Sequence, residues 1–201
     1  MIECNAAYFS VASAFLGTYL PFHVIHIEPH ATGGVLFVSS DQGRVTLIAH
    51  DPTGSADESV NVIPDPQLLK IARPIKTAER RLTLEDSTAT VLTLRKTNLE
   101  KKTSTFQRST ADFPPIRQAL SRCLQAWDSE LPVSEGRYDA DYLLRIFNIL
   151  APLSEYCTFS SYDGGPLRIQ TDSLDATVFL MPLNAAEPAP VAPYLREYVS
   201  A

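Results

Sequence analysis

A strand, helix, three-strand pattern that runs twice in succession is the feature that most limits what this chain can fold into. The stretch around Glu3 and Asn5 has the character of a first strand, and a short helix follows around Phe9 to Leu16. HVIHIEPH reads as a strand. GGVLFVSSDQGRVTLIAHD holds two β-rich runs, VLFVSS and RVTLIA, on either side of Asp41-Gln42-Gly43, which is a hairpin signal. SADESVNVIP reads as a further strand. Pro64-Asp65-Pro66 then interrupts the chain ahead of QLLKIAR. Asp65 suits an N-cap, Pro66 suits a first helical turn, and Pro74 must end that helix after about two turns. RRLTLEDSTATVLTLRK gives two alternating runs around Asp86-Ser87, and KKTSTFQRS gives a third strand. One βαβββ unit alone would leave a sheet face bare, so the two are expected to pack as a pair.

The pattern changes after residue 117. IRQALSRCLQAW is helix-like and DSELPVSEG reads as a polar linker. YDADYLLRIFNIL predicts a helix with Ala140, Leu143, Leu144, Phe147 and Leu150 on one apolar stripe and Asp141, Arg145 and Asn148 opposite. Asp141 and Arg145 have the spacing of a helix-surface ion pair, and Pro152 stops the helix. CTFSSYDGGPLRIQTDSLDATVFLMPL follows as three strands with turns at Asp163-Gly164-Gly165-Pro166 and Asp172-Ser173. This is a third βαβββ unit with no companion. NAAEPAPVAPYLREYVSA reads as a Pro/Ala-rich mobile tail whose apolar tip, Tyr194, Leu195 and Tyr198, could fold back onto the body.

Chemistry-bearing motifs are scarce. The three cysteines, Cys4, Cys123 and Cys157, lie far apart without metal spacing and are expected as buried free thiols. His23, His26 and His30 fall close together, but residues three apart on a strand point to opposite faces, so no metal site is expected. Neither a glycine-rich phosphate loop nor a nucleophile motif occurs, so no catalytic residues and no cofactors are expected. No apolar run reaches the ~18 residues of a membrane span, and the start of the chain lacks a basic leader, so a cytoplasmic location without membrane partners is expected. A net charge of −6 gives no overall attraction to nucleic acid and leaves room only for a local basic face.

This organisation, together with certain strings, resembles the bacterial DNA sliding clamp, the beta subunit of DNA polymerase III. Ser40, Asp41, Arg44 and Val45 match that family's Thr-Asp-Gly-His-Arg-Leu turn. Phe113, Pro114 and Arg117 match the Phe-Pro-Asp-Tyr-Arg segment that leaves the middle domain. YDADYLLRIFNIL resembles the last domain's second helix, and Met181, Pro182 and Leu183 match a C-terminal Met-Pro-Met strand. The resemblance implies an α+β DNA-clamp fold built from repeated βαβββ units, one full clamp domain plus a half domain. Residues 1–117 resemble the middle domain, 118–135 form a helical or linker segment, 136–183 resemble the second half of the last domain, and 184–201 form the tail. Against that family's pattern, a first domain and one half-domain have no counterpart in these residues, and a phage or mobile element is the expected source.

In that family a groove between middle and last domains receives peptide motifs of polymerases and other DNA enzymes. Carried over, its lining here would be Val45, Pro114, Ala119, Phe179, Met181, Pro182 and Leu183. Clamps also line their channel with Lys and Arg, whose phosphate contacts ignore sequence. Here Lys70, Arg73, Lys76 and Arg80 would share one face if the second helix continued past Pro74. The implied partners are clamp-binding motifs of DNA polymerase or repair proteins, double-stranded DNA and further copies of the chain. Three non-enzymatic readings stay open: a processivity factor that encircles or contacts DNA as an oligomer, a peptide-binding module that does not encircle DNA and competes with a host clamp, and a scaffold that kept the fold and lost both activities.

Overall fold

The computed structural model describes residues 1–75, 77–96, 98–129, 136–173 and 175–183. The first unit comprises β1 (Ile2–Asn5), α1 (Ala6–Ser13), β2 (Ile25–Pro29), β3 (Val35–Asp41) and β4 (Val45–Asp51), followed by the two-residue β5 (Ser55–Ala56). The second comprises β6 (Val60–Pro64), α2 (Pro66–Ala72), β7 (Glu79–Glu85), β8 (Thr88–Arg95) and β9 (Asn98–Ser109). After α3 (Ile116–Asp128) come α4 (Ala140–Leu150), β10 (Cys157–Ser160), β11 (Leu167–Thr171) and β12 (Ala176–Leu180). The strands of the described residues join in the order β10-β11-β12-β4-β3-β2-β6-β9-β8-β7-β1-β5, with antiparallel pairing.

Local chemistry accounts for most boundaries. The Asn5 side chain accepts from the Ala7 amide and starts α1 at Ala6, three residues before the expected Phe9. Asp65 caps α2 by accepting from Gln67 N at 2.7 Å, with Pro66 in the first turn. In the β3–β4 hairpin Gln42 and Gly43 both have positive φ, 52° and 83°, the handedness that matches strand twist. Asp86, at φ 51°, makes the corresponding bend between β7 and β8.

The first two units exchange their leading strands. β1 of the first lies beside β7 of the second, and β6 of the second lies beside β2 of the first. Each sheet is therefore completed by the other unit, and α1 and α2 share one core with Phe9, Ile27, Leu47, Leu68 and Leu82. The third unit has no such exchange among the described residues. Its β10 ends the sheet, and the unit joins the first through β12 against β4, from Ala176↔Ala49 to Leu180↔Val45.

Side chains reinforce that seam. Tyr142 Oη donates to Asp41 at 2.8 Å, and Arg145 lies 3.7 Å from the same carboxylate. Arg145 also donates to the Ala14 carbonyl, and its guanidinium sits 5.4 Å from the Phe15 ring centre. Tyr8 Oη donates to Asp175 at 2.9 Å.

These contacts correct two expectations about α4. Arg145 reaches across the seam rather than pairing with Asp141. The helix turns Ile146 and Leu150 inward, with Tyr142, Leu143 and Ile149 partly buried beside them, while Leu144 is 61% and Phe147 42% exposed. ADYLLRIFNIL is apolar on so many positions that its wheel admits two stripes, and the Asp41 contacts select one. The cysteine expectation is also corrected. Cys4 is buried, but Cys123 and Cys157 are only half-buried. No helix of the described residues is long and apolar enough to cross a membrane.

Candidate functional site

The site follows from the two faces of the sheet. On β4, Val45, Leu47 and Ala49 point to the helix-covered face, so the period of two sends Thr46, Ile48 and His50 to the other. Register aligns Ile48 with Val38 and His26, and His50 with Leu36 and Glu28, while Thr46 faces Phe179 on the β12 side. The outer face thus carries an apolar patch where a solvated face would carry polar groups.

A cavity of about 880 Å³ lies on this patch. Its floor is formed by Leu36, Val38, Ile48 and Phe179, with His26 and Glu28 at one side. Its roof is the chain from Phe113 to Arg117 continuing into α3, which contributes Leu120, Ser121 and Leu124. Phe113 is held by stacking on His26, ring centres 4.6 Å apart and planes 12° apart. The Asn61 amide nitrogen donates to the Ala111 carbonyl, which aims its oxygen at His26 Nδ1, 2.7 Å away. His26 Nδ1 therefore donates, and Nε2 is left 3.4 Å from Glu28. Glu28 also accepts from Arg117 at the start of α3. Further along α3, the Cys123 thiol donates to the Ala119 carbonyl at 3.6 Å. Burial first, and then the influence of Cys123, pushes the phenol of Tyr162 in the β10–β11 connection up to about 12.

Of the residues expected to line a groove, Pro114 and Phe179 meet in this cavity. The other five do not. Val45 is fully buried on the opposite face, because it pairs with Leu180 one position out of phase with Thr46 and Phe179. Ala119 is exposed on α3, and Leu120, one helical step of about 100° away, is the residue turned inward. Met181 and Leu183 follow the end of β12 and are 45% and 48% exposed, with Pro182 between them. Their amides are bonded to the Arg44 and Arg137 carbonyls at 2.9 and 2.8 Å.

The expected basic face is likewise divided. Lys70 and Arg73 are exposed on and just after α2. Arg80 donates to the Arg73 carbonyl at 2.5 Å, capping the end of α2, and its Nε is buried without a partner. Burial lowers the pKa of this guanidinium. Lys76 lies outside the described residues, as do 130–135 of the linker segment and the tail from 184 to 201. Three or more His, Cys, Asp or Glu side chains in a metal-holding group do not occur among the described residues.

His26, Glu28, Val38, Ile48 and Leu120 also line the cavity and are not among the expected residues. For the last three a sequence signal exists. VLFV is apolar on four consecutive positions and VTLI on three of four, the mark of strands covered on both faces. Ile116, Leu120 and Leu124 recur every fourth residue, the mark of a helix with something to cover.

Paired βαβββ units joined edge to edge into a continuous antiparallel sheet define the DNA sliding-clamp fold, and this chain has it. A putative DNA polymerase III beta subunit from Eubacterium rectale superposes with TM-score 0.60 at 10% identity, covering 92% of this chain and 65% of that one. The beta subunit from Borrelia burgdorferi, solved with a natural product, gives TM-score 0.58 at 11% identity over 92% of this chain and 65% of that one. Proliferating cellular nuclear antigen from Entamoeba histolytica gives TM-score 0.58 at 10% identity over 90% of this chain and 98% of that one. The chain thus spans less than two thirds of the length of these bacterial clamps. No protein-family model and no curated protein matches the sequence.

Proposed function

We propose that this chain is a clamp-like DNA replication accessory that works by binding rather than catalysis, and that it captures short apolar peptide motifs of polymerases or repair proteins. One observation carries the reading: the apolar cavity of about 880 Å³ at the seam between the first and third units, with Pro114 in its roof and Phe179 in its floor. That volume accepts two large side chains, and its lining is mostly apolar, with His26, Glu28, His30, Arg117 and Ser121 as the polar groups. Leu and Phe anchors of an extended peptide suit such a floor. Fluorescence polarisation with a labelled peptide bearing Leu and Phe anchors tests it. Phe179→Ala weakens binding by roughly tenfold or more, as loss of a central anchor contact does. Met181→Ala leaves binding unchanged, since Met181 is outside the cavity. Equal effects of the two substitutions, at matched thermal stability, would count against the site.

A DNA contact is the second reading. Exposed Lys70 and Arg73 favour it, since both are free of the capping duty that holds Arg80. With one unit lacking a companion among the described residues, encirclement would require more clamp units than those residues supply. A module that binds peptide without encircling DNA needs no further units.

A further inference from the structure

We propose that α3 is a built-in, displaceable occupant of the cavity, so that a peptide gains entry by competing with a segment of the chain itself. This rests on the peptide reading above and supplies its regulation.

Helix α3 lies over an apolar sheet face without filling the space beneath it. Leu120 is the one buried residue among the described side chains of α3, whereas Leu124, also on the cavity wall, is 46% exposed. A helix with apolar residues at i, i+4 and i+8 is built to bury all three against a surface. Here the stripe of Ile116, Leu120 and Leu124 is seated at its start and lifted toward its end. The cavity remaining below is the measure of that partial fit.

Beyond Leu120 and the stacking of Phe113 on His26, what holds α3 down is polar and peripheral. Arg117 ties its first turn to Glu28 on β2; the Arg117 side chain is 80% exposed and that of Glu28 13%. That tie does not resemble a packed core contact, and a pair with one partner so exposed is weak. Apolar floor and apolar stripe match well enough to dock, while the voids and the exposed tie leave docking easy to reverse. The residues that α3 lays on the floor also describe what can replace it: a segment with large aliphatic side chains and, beside the first of them, a cation for Glu28.

Two variants and two probes test this. In Arg117→Ala, hydrogen exchange of residues 116–128 should rise about threefold, in keeping with loss of an exposed ion pair. In Leu120→Asp it should rise more than tenfold, with β3 and β4 unchanged. Exchange in 116–128 that is unchanged in both variants overturns the proposal. A labelled synthetic peptide of residues 113–128 should then bind Leu120→Asp in trans and bind the unmodified chain at least tenfold more weakly. Equal binding to both overturns it. The Leu/Phe peptide separates this inference from the one beneath it. If the 113–128 peptide binds Leu120→Asp while the Leu/Phe peptide binds neither form, α3 occupies the cavity and the proposed partner class is wrong.

Discussion

At the scale of single residues, this protein uses tyrosine hydroxyls to join parts far apart in sequence. Tyr8 reaches Asp175 and Tyr142 reaches Asp41. Burial first, and then the hydrogen bond, raises the pKa of each phenol above the ordinary 10.0. The folded state therefore keeps protons that the unfolded chain has already released above that pH. Their contribution to stability is complete below the ordinary value and is lost as pH rises through the folded one. Denaturant midpoints should fall as pH rises from about 10 toward about 12, and the fall should be smaller in Tyr8→Phe. An identical pH dependence in that variant would remove Tyr8 from the account. No motif announced these contacts, because a tyrosine's partner 167 positions away leaves no trace in local pattern. Arg145 shows the same limit. Its spacing to Asp141 suggested a surface ion pair, and the fold offered it Asp41, the Ala14 carbonyl and the Phe15 ring instead.

At the scale of elements, local rules were sufficient wherever the chemistry was local. Asp65, Pro66 and Pro74 bracket α2 in the sequence, and the helix runs from Pro66 to Ala72. Asp65→Ala should cost about 1 kcal/mol, the usual value of a side-chain N-cap, read as a lowered denaturant midpoint with unchanged slope. A loss below about 0.3 kcal/mol would mean that tertiary packing alone sets this helix start. The Asp41-Gln42-Gly43 turn and the Asp86-Ser87 turn were legible for the same reason, as positive φ at a hairpin bend is a property of the bend itself. The rotation of α4 was not legible. Leu144 and Phe147 lie on a face that propensity treats as equivalent to the buried one, and the Phe147 ring meets exposed Phe159 at 6.0 Å instead of entering the core.

For the whole molecule, the decisive fact is the exchange of leading strands between the first two units and its absence from the third among the described residues. The first two units complete each other's sheets, whereas the third unit is joined to the first through β12 against β4 and shares its buried core. If the chain encircles DNA as an oligomer, it should be retained on circular DNA and lost from linear DNA with free ends, at a salt concentration that removes Lys70 and Arg73 contacts. Equal retention on the two would leave only direct contact, and a monomer by light scattering would exclude a ring made of this chain alone. The sequence by itself determined the four helices, the order of the main strands, the turns and the two-unit repeat, because these depend on periodicity, caps and breakers within a few residues. The split of SADESVNVIP into β5 and β6 it did not show. Only the tertiary structure decided which residues meet in the cavity. A strand's period of two says that Phe179 and Leu180 face opposite ways, but pairing with β4 decides which of them faces the helices. That pairing buries Val45 and Leu180 together, leaves Phe179 beside Ile48 on the outer floor, and gives α3 a surface to cover.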